Sequence, residues 1–337
     1  MRSLTPDFRF DETVLEDKIS LLEKSVKPEK IDFEVVREKL VSDGVDIKFS
    51  GEFEPENVKT VLGVDSSFGK LDLKFHSIFG VHTICVAADY TGRDSQDTLV
   101  GQGTIPYENL LYDSKIDLGV FEPYSDTEFR LNLIRISEEL YLLKKAGREC
   151  EKEVLRIVDG SIHCISKDLD KPCEFQEFEK ARSAYDEIME DKVVSMVEDS
   201  HETDFASHAN VKGTNLYLFD NILKPKEYVV KDDTGIHIVY LKLPGKNLCF
   251  KPNKISPPLT VRWEFNYPDF QKDLNFLISA WAREDDIFHP QLYPVRIADY
   301  LTRRIRIHGL LEEFAKKGGL ELQHRNLREY LFSEANF

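Results

Sequence analysis

The chain has 337 residues, of which 41% are hydrophobic and 31% are charged, and its formal net charge is −16 at pH 7. This size allows one large domain or two small ones, and the composition is typical of a soluble globular protein. No run approaches the ~18 apolar residues of a membrane helix, and the N-terminus lacks the apolar core of a signal peptide. We therefore expect a cytoplasmic protein with no membrane association.

The negative charge argues against a protein that binds nucleic acid mainly through its own Lys and Arg side chains. It does not exclude a metal-dependent nuclease, because such a site gathers carboxylates and its bound cations reverse the local field.

The cysteines are odd in number and form no Cys-x-x-Cys pair, so we expect reduced thiols rather than a disulfide framework or structural zinc. They are Cys85, Cys150, Cys164, Cys173 and Cys249.

The N-terminal region is charged and predicts two helical segments within residues 8–45, separated by Pro28. Apolar residues recur at helical spacing in both segments. We interpret residues 1–56 as a helical N-terminal extension, which is either a cap on the core or an arm for a partner. No tandem repeat or low-complexity linker interrupts residues 57–337, which we interpret as a single domain.

The central region alternates strand-like and helical sequence. VKTVLGVDSS (58–67) predicts a buried strand, FHSIFGVHTICVAADY (75–90) predicts further β structure, and TGRDSQD predicts a turn. TEFRLNLIRISEELYLLKKA (127–146) predicts a helix, and EVLRIVDGSI (153–162) predicts a second buried strand. This alternation is typical of an α/β fold.

The C-terminal half continues the alternation. Residues 174–192 predict a helix and residues 191–200 a strand and turn. Residues 235–245 and 257–265 predict two strands of a sheet face, and the sequence from Pro294 onwards predicts a helix that ends at Gly318.

Two of the predicted strands end alike, in Val64-Asp65-Ser66-Ser67 and in Val158-Asp159-Gly160-Ser161. In each, an apolar run delivers one Asp to the strand's C-terminal end, where the ligand sites of open α/β sheets gather. Taken singly, each Asp would be explained as a turn residue. The repetition favours a shared site.

The helix between these strands carries Glu138 and Glu139, and the C-terminal helix carries Asp299. A single helical Glu is usually a solvated surface residue. However, an Asp on a first strand, a helical Glu, an Asp on a later strand and a last acidic or His residue on a C-terminal helix is the order found in RNase H-like nucleases. The sequence thus predicts an RNase H-like mixed sheet flanked by helices.

Carboxylates in this number suit a two-metal phosphodiesterase. Two divalent cations about 3.5–4 Å apart clamp the attacking and departing oxygens in such sites, and hard oxygen ligands favour Mg²⁺ or Mn²⁺. No convincing Ser–His or Cys–His arrangement offers an alternative nucleophile.

An ordered set of motifs resembles the archaeal NurA family of nucleases from about residue 58 to residue 308. The motifs are VLGVDSS, RISEELYLL, RIVDGSI, VVSMVEDSHETDFA, IHIVYLKLPG with LTVRWEF, and FHPQLYPVRIADYLTRRIRI. The resemblance implies an RNase H-like nuclease that cuts DNA with Mn²⁺ or Mg²⁺. It also implies a homodimer that works with a HerA-type hexameric ATPase in trimming DNA ends during double-strand-break repair.

Carried over by this resemblance, the metal ligands would be Asp65, Asp159, Asp299 and one helical glutamate. Glu139 fits the family pattern better than Glu138, because it precedes Leu140 and follows Arg135 by one turn. Asp299 is assigned to a position where the family usually has His, which leaves either a working or a weakened site. An i,i+4 ion pair with Arg303 is an alternative role for Asp299.

Residues around the last helix are candidates for DNA contact. Tyr293 and His289 would stack on a splayed base, and Arg303 and Arg306 would share a helix face with Asp299 and contact phosphates. Alternatively, Tyr293 and His289 belong to a loop that packs on the core, and Arg303 and Arg306 lie on a solvated helix face.

Two further readings remain open. Glu198 at a common Lys position and Asp299 at the usual His position favour a catalytically weakened or inactive member that only binds the ATPase. A guide-dependent nuclease of the Argonaute type ranks last, because the extra domains of such proteins are not evident in the sequence.

Overall fold

A computed structural model of the chain describes most of its residues. The described segments are 31–51, 59–73, 76–90, 107–122, 126–150, 153–171, 173–197, 200–246, 255–284 and 289–319. Within these segments, no helix combines the length and the apolar character needed to cross a bilayer. The predictions for residues 8–30, the turn at 91–97, Glu198 and Cys249 lie outside them.

A nine-stranded mixed sheet forms the centre of the protein, with the strands in the order β1-β7-β8-β9-β6-β5-β2-β3-β4. The strands are β1 (Ile47–Phe49), β2 (Lys59–Asp72), β3 (Ser77–Tyr90), β4 (Tyr107–Phe121), β5 (Val154–Asp159), β6 (Val193–Val197), β7 (Glu227–Asp233), β8 (Ile236–Leu243) and β9 (Leu259–Phe265).

Helices flank this sheet. They are α1 (Phe33–Ser42), α2 (Thr127–Glu149), α3 (Ile162–Leu169), α4 (Gln176–Ile188), α5 (Asp204–His208), α6 (Asn215–Ile222), α7 (Gln271–Arg283), α8 (Tyr293–Arg304) and α9 (Ile307–Lys317).

The strand directions match the predicted fold class. β2, β3 and β4 form an antiparallel meander, whereas β5 pairs parallel to β2 and β6 pairs parallel to β5. A parallel pair needs a crossover connection, and α2 supplies it between β4 and β5. The prediction of an RNase H-like mixed sheet flanked by helices is confirmed.

The two faces of the sheet have separate cores, because side chains alternate along a strand. On one face, Leu62 and Val64 of β2 pack with residues of α2 and α4 such as Leu140 and Phe178. On the other face, the neighbouring residue Val61 packs in a second cluster with residues of α7 and α8. Any β2 side chain therefore faces either α2 or α8, and its position in the sequence decides which.

The N-terminal extension is described only from residue 31. Its α1 begins after Asp32, whose carboxylate accepts hydrogen bonds from the backbone N–H groups of Glu34 and Val35. The chain then forms β1, an edge strand paired with β7. The described end of the extension thus contributes to the sheet as well as to the helical layer.

The predicted C-terminal helix is two helices. α8 ends at Arg304 and α9 begins at Ile307, because Ile305 adopts extended backbone angles of φ −91° and ψ 107°. This break lets Ile307 pack with Ile78 and Leu73 in a small core of its own. The predicted strand at 153–162 also ends earlier, at Asp159, and residues from Ile162 form α3.

Candidate active site

Asp65 and Asp159 lie side by side because their strands are parallel neighbours. Val64 of β2 pairs with Val158 of β5, and each aspartate is the next residue along its strand. β5 ends at Asp159, where Gly160 turns the chain with φ +95°, a conformation that favours glycine. β2 continues to Asp72, so Asp65 lies within its strand and not at its end as predicted.

Helix α8 covers these two aspartates. Its first turn lies directly against Gly63, where a Cβ atom would be 2.4 Å from the backbone nitrogen of Val295. This close approach brings the fully buried Thr302 over β2. The Thr302 hydroxyl lies 2.8 Å from Oδ2 of Asp65 and 2.9 Å from the carbonyl oxygen of Asp299.

The carboxyl group of Asp65 is in an environment that disfavours its charge. Burial raises its pKa, and the negative charge of Asp299 raises it further. The hydrogen bond from Thr302 and the more distant charge of Arg135 lower the pKa but do not compensate.

Glu139 approaches from the opposite face of the sheet, on α2. Its side chain accepts a hydrogen bond from the Ser66 hydroxyl and lies 3.9 Å from Nε of Arg135. Burial raises the pKa of Glu139 to about 7 against the lowering effects of Arg135 and Ser66, and the charges of Asp65 and Asp159 add to the increase. The four acidic residues Asp65, Glu139, Asp159 and Asp299 are hereafter called the acidic site.

Glu138 points elsewhere. Its carboxylate pairs with Lys115 of β4, and it lines a separate groove between α2 and α4 with Tyr141 and Lys180. Of the two candidate helical ligands, only Glu139 shares the environment of Asp65 and Asp159.

Asp299 interacts with both Asp65 and Arg303, so the predicted i,i+4 ion pair is present. Its charge acts on Asp65, and its Oδ1 lies 2.5 Å from Nε of Arg303, one turn later on α8. A cavity of about 330 Å³ opens beside it. The lining residues are Asp159, His289, Gln291, Val295, Arg296, Asp299 and Arg303.

Asp299 is the acidic residue of α8 whose charge acts on Asp65. Leu301, two residues later on the same helix, packs with Ile84 and Val86 instead.

Two of the four candidate DNA-contact residues line this cavity. His289 and Arg303 line it, and both are exposed. Tyr293 begins α8, with its backbone N–H donating to Oε1 of Glu284 at 3.0 Å and its ring 5.4 Å from the Arg296 guanidinium. Arg306 lies beyond the end of α8, so it does not share a helix face with Asp299 as predicted.

The acidic site has the right donors for a hard divalent cation, namely carboxylate oxygens with an excess of negative charge. As the side chains are placed, however, no three Asp, Glu, His or Cys residues in the described segments converge closely enough to hold an ion. Each carboxylate is turned onto a local donor instead: Thr302, Ser66, Gln291 or Arg303. The residues fit a cation chemically, and rotation of these side chains would be required to bind it.

Sequence reasoning missed a buried polar network that holds the turn after Asp159. Glu264 of β9 is fully buried and accepts hydrogen bonds from Ser161 Oγ at 2.8 Å, Ser195 Oγ at 2.9 Å and the His163 backbone N–H at 3.0 Å. Its charge is balanced by Arg262, whose Nη2 lies 2.5 Å away. The alternation in LTVRWEF indicates which residues share a face of β9, but not that this face is buried against α3.

Comparisons with known proteins identify a matching family and solved structures of similar fold. The family model described as NurA domain matches residues 59–299. The structure is similar to that of the NurA nuclease from Sulfolobus solfataricus, with a TM-score of 0.55 and 11% identity, covering 91% of this chain and 97% of that one. It is also similar to a NurA structure bound to dAMP and manganese, with a TM-score of 0.50 and 10% identity, covering 90% and 97%. No curated protein sequence matches the chain.

Proposed function

Because the chain belongs to the NurA family of nucleases, we propose that it is a divalent-metal-dependent DNA nuclease whose cation binds at the acidic site. One observation carries this proposal. Carboxyl groups from distant parts of the chain are brought near one another: burial and the charge of Asp299 raise the pKa of Asp65, and burial with the charges of Asp65 and Asp159 raises the pKa of Glu139 to about 7. Such a cluster is costly to fold unless a cation relieves the repulsion.

The ligands would be Asp65, Asp159 and Glu139, with Asp299 completing the set. A bound divalent cation supplies activation of a water molecule and stabilisation of the departing oxygen of a phosphodiester. The chain's own residues do the rest. Thr302 orients Asp65 by a hydrogen bond, and Glu139 would lose its proton to solvent on binding a cation.

Arg303 is placed to contact a phosphate. Its guanidinium is mostly exposed, with 76% of the side-chain surface accessible, and it borders the cavity beside Asp299. When Asp299 turns towards a cation, Arg303 becomes available to a phosphate oxygen. His289, which lines the same cavity, and Tyr293, at the start of α8, would contact the sugar or base.

The related NurA structure that binds dAMP and manganese supports Mn²⁺ as the cofactor and DNA as the substrate; we propose Mg²⁺ as an alternative metal. We further propose a cytoplasmic homodimer that acts with a HerA-type hexameric ATPase in resecting DNA ends at double-strand breaks. A partner that delivers DNA would explain how a chain with a net charge of −16 acts on a polyanion.

The test is cleavage of linear DNA with Mn²⁺, Mg²⁺ or EDTA, with and without the ATPase. The structure offers a matched pair of variants in Glu139→Gln and Glu138→Gln. We expect metal-dependent cleavage that EDTA abolishes, a loss of activity of at least about 100-fold in Glu139→Gln, and activity close to wild type in Glu138→Gln. Cleavage in EDTA, or equal effects of the two variants, would contradict the proposal.

A second candidate function is a catalytically weakened protein that serves as a binding partner of the ATPase. It is favoured by the arrangement of the side chains, because Asp299 is engaged by Arg303 and no three ligands converge as placed. Formation of the complex with no cleavage at any Mn²⁺ or Mg²⁺ concentration would support this second function.

A further inference from the structure

Gln291 is a buried polar residue beside the acidic site that no motif identified. Only 5% of its surface is accessible, and it lines the cavity that Asp159 and Asp299 border. Its Nε2 donates to Oδ1 of Asp159 at 3.3 Å. It lies two residues before α8, so its backbone is fixed by the same packing that places Thr302 over Asp65.

The amide oxygen of Gln291 is buried and has no hydrogen-bond donor among the residues that the structure describes. Leaving a buried acceptor unpaired costs about 1–3 kcal/mol. The opposite amide orientation would place this oxygen against Asp159, with two acceptors in contact, so the metal-free protein keeps the NH₂ group there. Of the nearby cations, Arg303 is engaged by Asp299, and Arg296 donates to Glu284 at 2.8 Å.

A divalent cation would remove this conflict. Its charge takes the place of the NH₂ group beside Asp159, and the terminal amide of a glutamine turns about a soft torsion. The oxygen would then face the ion, and amide oxygens are among the ligands of hard cations. A phosphate cannot take this role, because a phosphate oxygen and an amide oxygen are both acceptors.

We propose that Gln291 is a further residue of the cation site, supplying its amide oxygen to the ion that Asp159 binds. This inference rests on the proposed metal site. It adds a neutral ligand, which increases the number of oxygens around the ion without adding to the mutual repulsion of the carboxylates.

The test measures Mn²⁺ binding directly and does not use activity. Free Mn²⁺ is measured by electron paramagnetic resonance during titration of the purified chain, and the Mn²⁺-induced rise in Tm gives a second reading. Gln291→Met keeps the length and removes the amide, whereas Gln291→Glu keeps an oxygen at the same reach. Gln271→Met, at the exposed start of α7, is the control.

We expect Gln291→Met to raise the Kd for Mn²⁺ about 10-fold or more. In Gln291→Glu and Gln271→Met, the Kd should be no more than about threefold above that of wild type. If Gln291→Met does not fold, Gln291→Asn, which withdraws the oxygen by one methylene, replaces it with the same expectation. A folded Gln291→Met with wild-type affinity, or a Gln291→Glu as weak as Gln291→Met, would overturn this inference and leave the proposed function intact. A wild-type chain that binds no Mn²⁺ would overturn both.

Discussion

Two buried clusters of charge lie on either side of Asp159, and they differ in how they are balanced. In the network around Glu264, the carboxylate faces a guanidinium, two hydroxyls and a backbone N–H. Burial disfavours the charge of Arg262, but Glu264 and other negative neighbours outweigh that effect and raise its pKa. In the acidic site, each carboxyl group contacts a local donor, but burial and the charges of other carboxylates disfavour the ionisation of Asp65 and Glu139.

This difference indicates that the Glu264 network has a structural role and that the acidic site has a functional one. The buried carboxylate of Glu264 is balanced by Arg262 and hydrogen-bonded within the chain, so it needs no ligand, and it fixes the turn Asp159-Gly160-Ser161 whether or not a metal is present. In the acidic site, burial and the charges of neighbouring carboxylates raise the pKa values of Asp65 and Glu139, and perturbed pKa values of this kind are usual in a binding or catalytic site. We therefore expect variants of the first cluster to change stability and variants of the second to change metal binding and catalysis.

The largest expected effect is on catalysis. Asp65→Asn and Asp159→Asn keep the shape of the side chain and remove a charged ligand, and a bound metal stabilises the transition state by several kcal/mol. We expect each variant to lose about 1000-fold or more in the rate of Mn²⁺-dependent DNA cleavage. Steady-state cleavage of a labelled linear duplex measures this. Full activity in either variant would show that the acidic site is not the catalytic site.

The next largest effect is on stability, and it concerns the balanced cluster. Glu264→Gln leaves Arg262 buried without its main counter-charge, which typically costs about 3–5 kcal/mol. We expect a decrease of this size in the free energy of unfolding in urea. Adding Arg262→Gln should cost less than the sum of the two single changes. A decrease below about 1 kcal/mol would show that the pair is not the balancing element.

Removing a charge from the acidic site should increase the free energy of unfolding, whereas the change at Glu264 decreases it. The pKa of Glu139 is raised to about 7 in the folded chain, so the unfolded chain loses its proton first as the pH rises. The contribution of Glu139 to stability is therefore most favourable below pH ~4.5, and it decreases as the pH rises to about 7. At pH 8 without metal, we expect Glu139→Gln to be more stable than wild type by about 2 kcal/mol.

This gain should disappear near pH 4.5, and Glu138→Gln, which removes an ion pair with Lys115, should show no such gain at either pH. Thermal unfolding in EDTA at the two pH values measures both variants. If the stability difference between Glu139→Gln and wild type is the same near pH 4.5 and at pH 8, the burial of Glu139 is not costly.

The smallest expected effect is at the rim of the acidic site. Arg303 is exposed and its pair with Asp299 is a surface pair, so Arg303→Ala should change stability by less than about 1 kcal/mol. If Arg303 contacts a phosphate, the slope of DNA affinity against salt concentration should decrease by about 1. Arg304→Ala is the control, because Arg304 lies over the Tyr300 ring. Equal slopes in both variants would remove Arg303 from the DNA contact.

The sequence by itself determined the fold class and most of the acidic residues. Apolar β-branched runs that each end in Asp and small residues predicted β2 and β5, and the strong helical periodicity of residues 127–146 predicted α2. These signals are local, because hydrophobic spacing reports how an element presents one side to a core. The order of the motifs was sufficient to indicate the NurA family.

Only the tertiary structure decided which side chains meet. The register of β2 against β5 places Asp65 beside Asp159, the packing of α8 on Gly63 brings Thr302 and Asp299 over them, and the rotation of α2 turns Glu139 inward and Glu138 towards Lys115. Gln291 and Glu264 gave no sequence signal, since each becomes significant through partners more than 60 residues away. Their roles depend on burial and on charge, which are properties of the assembled fold and not of any segment.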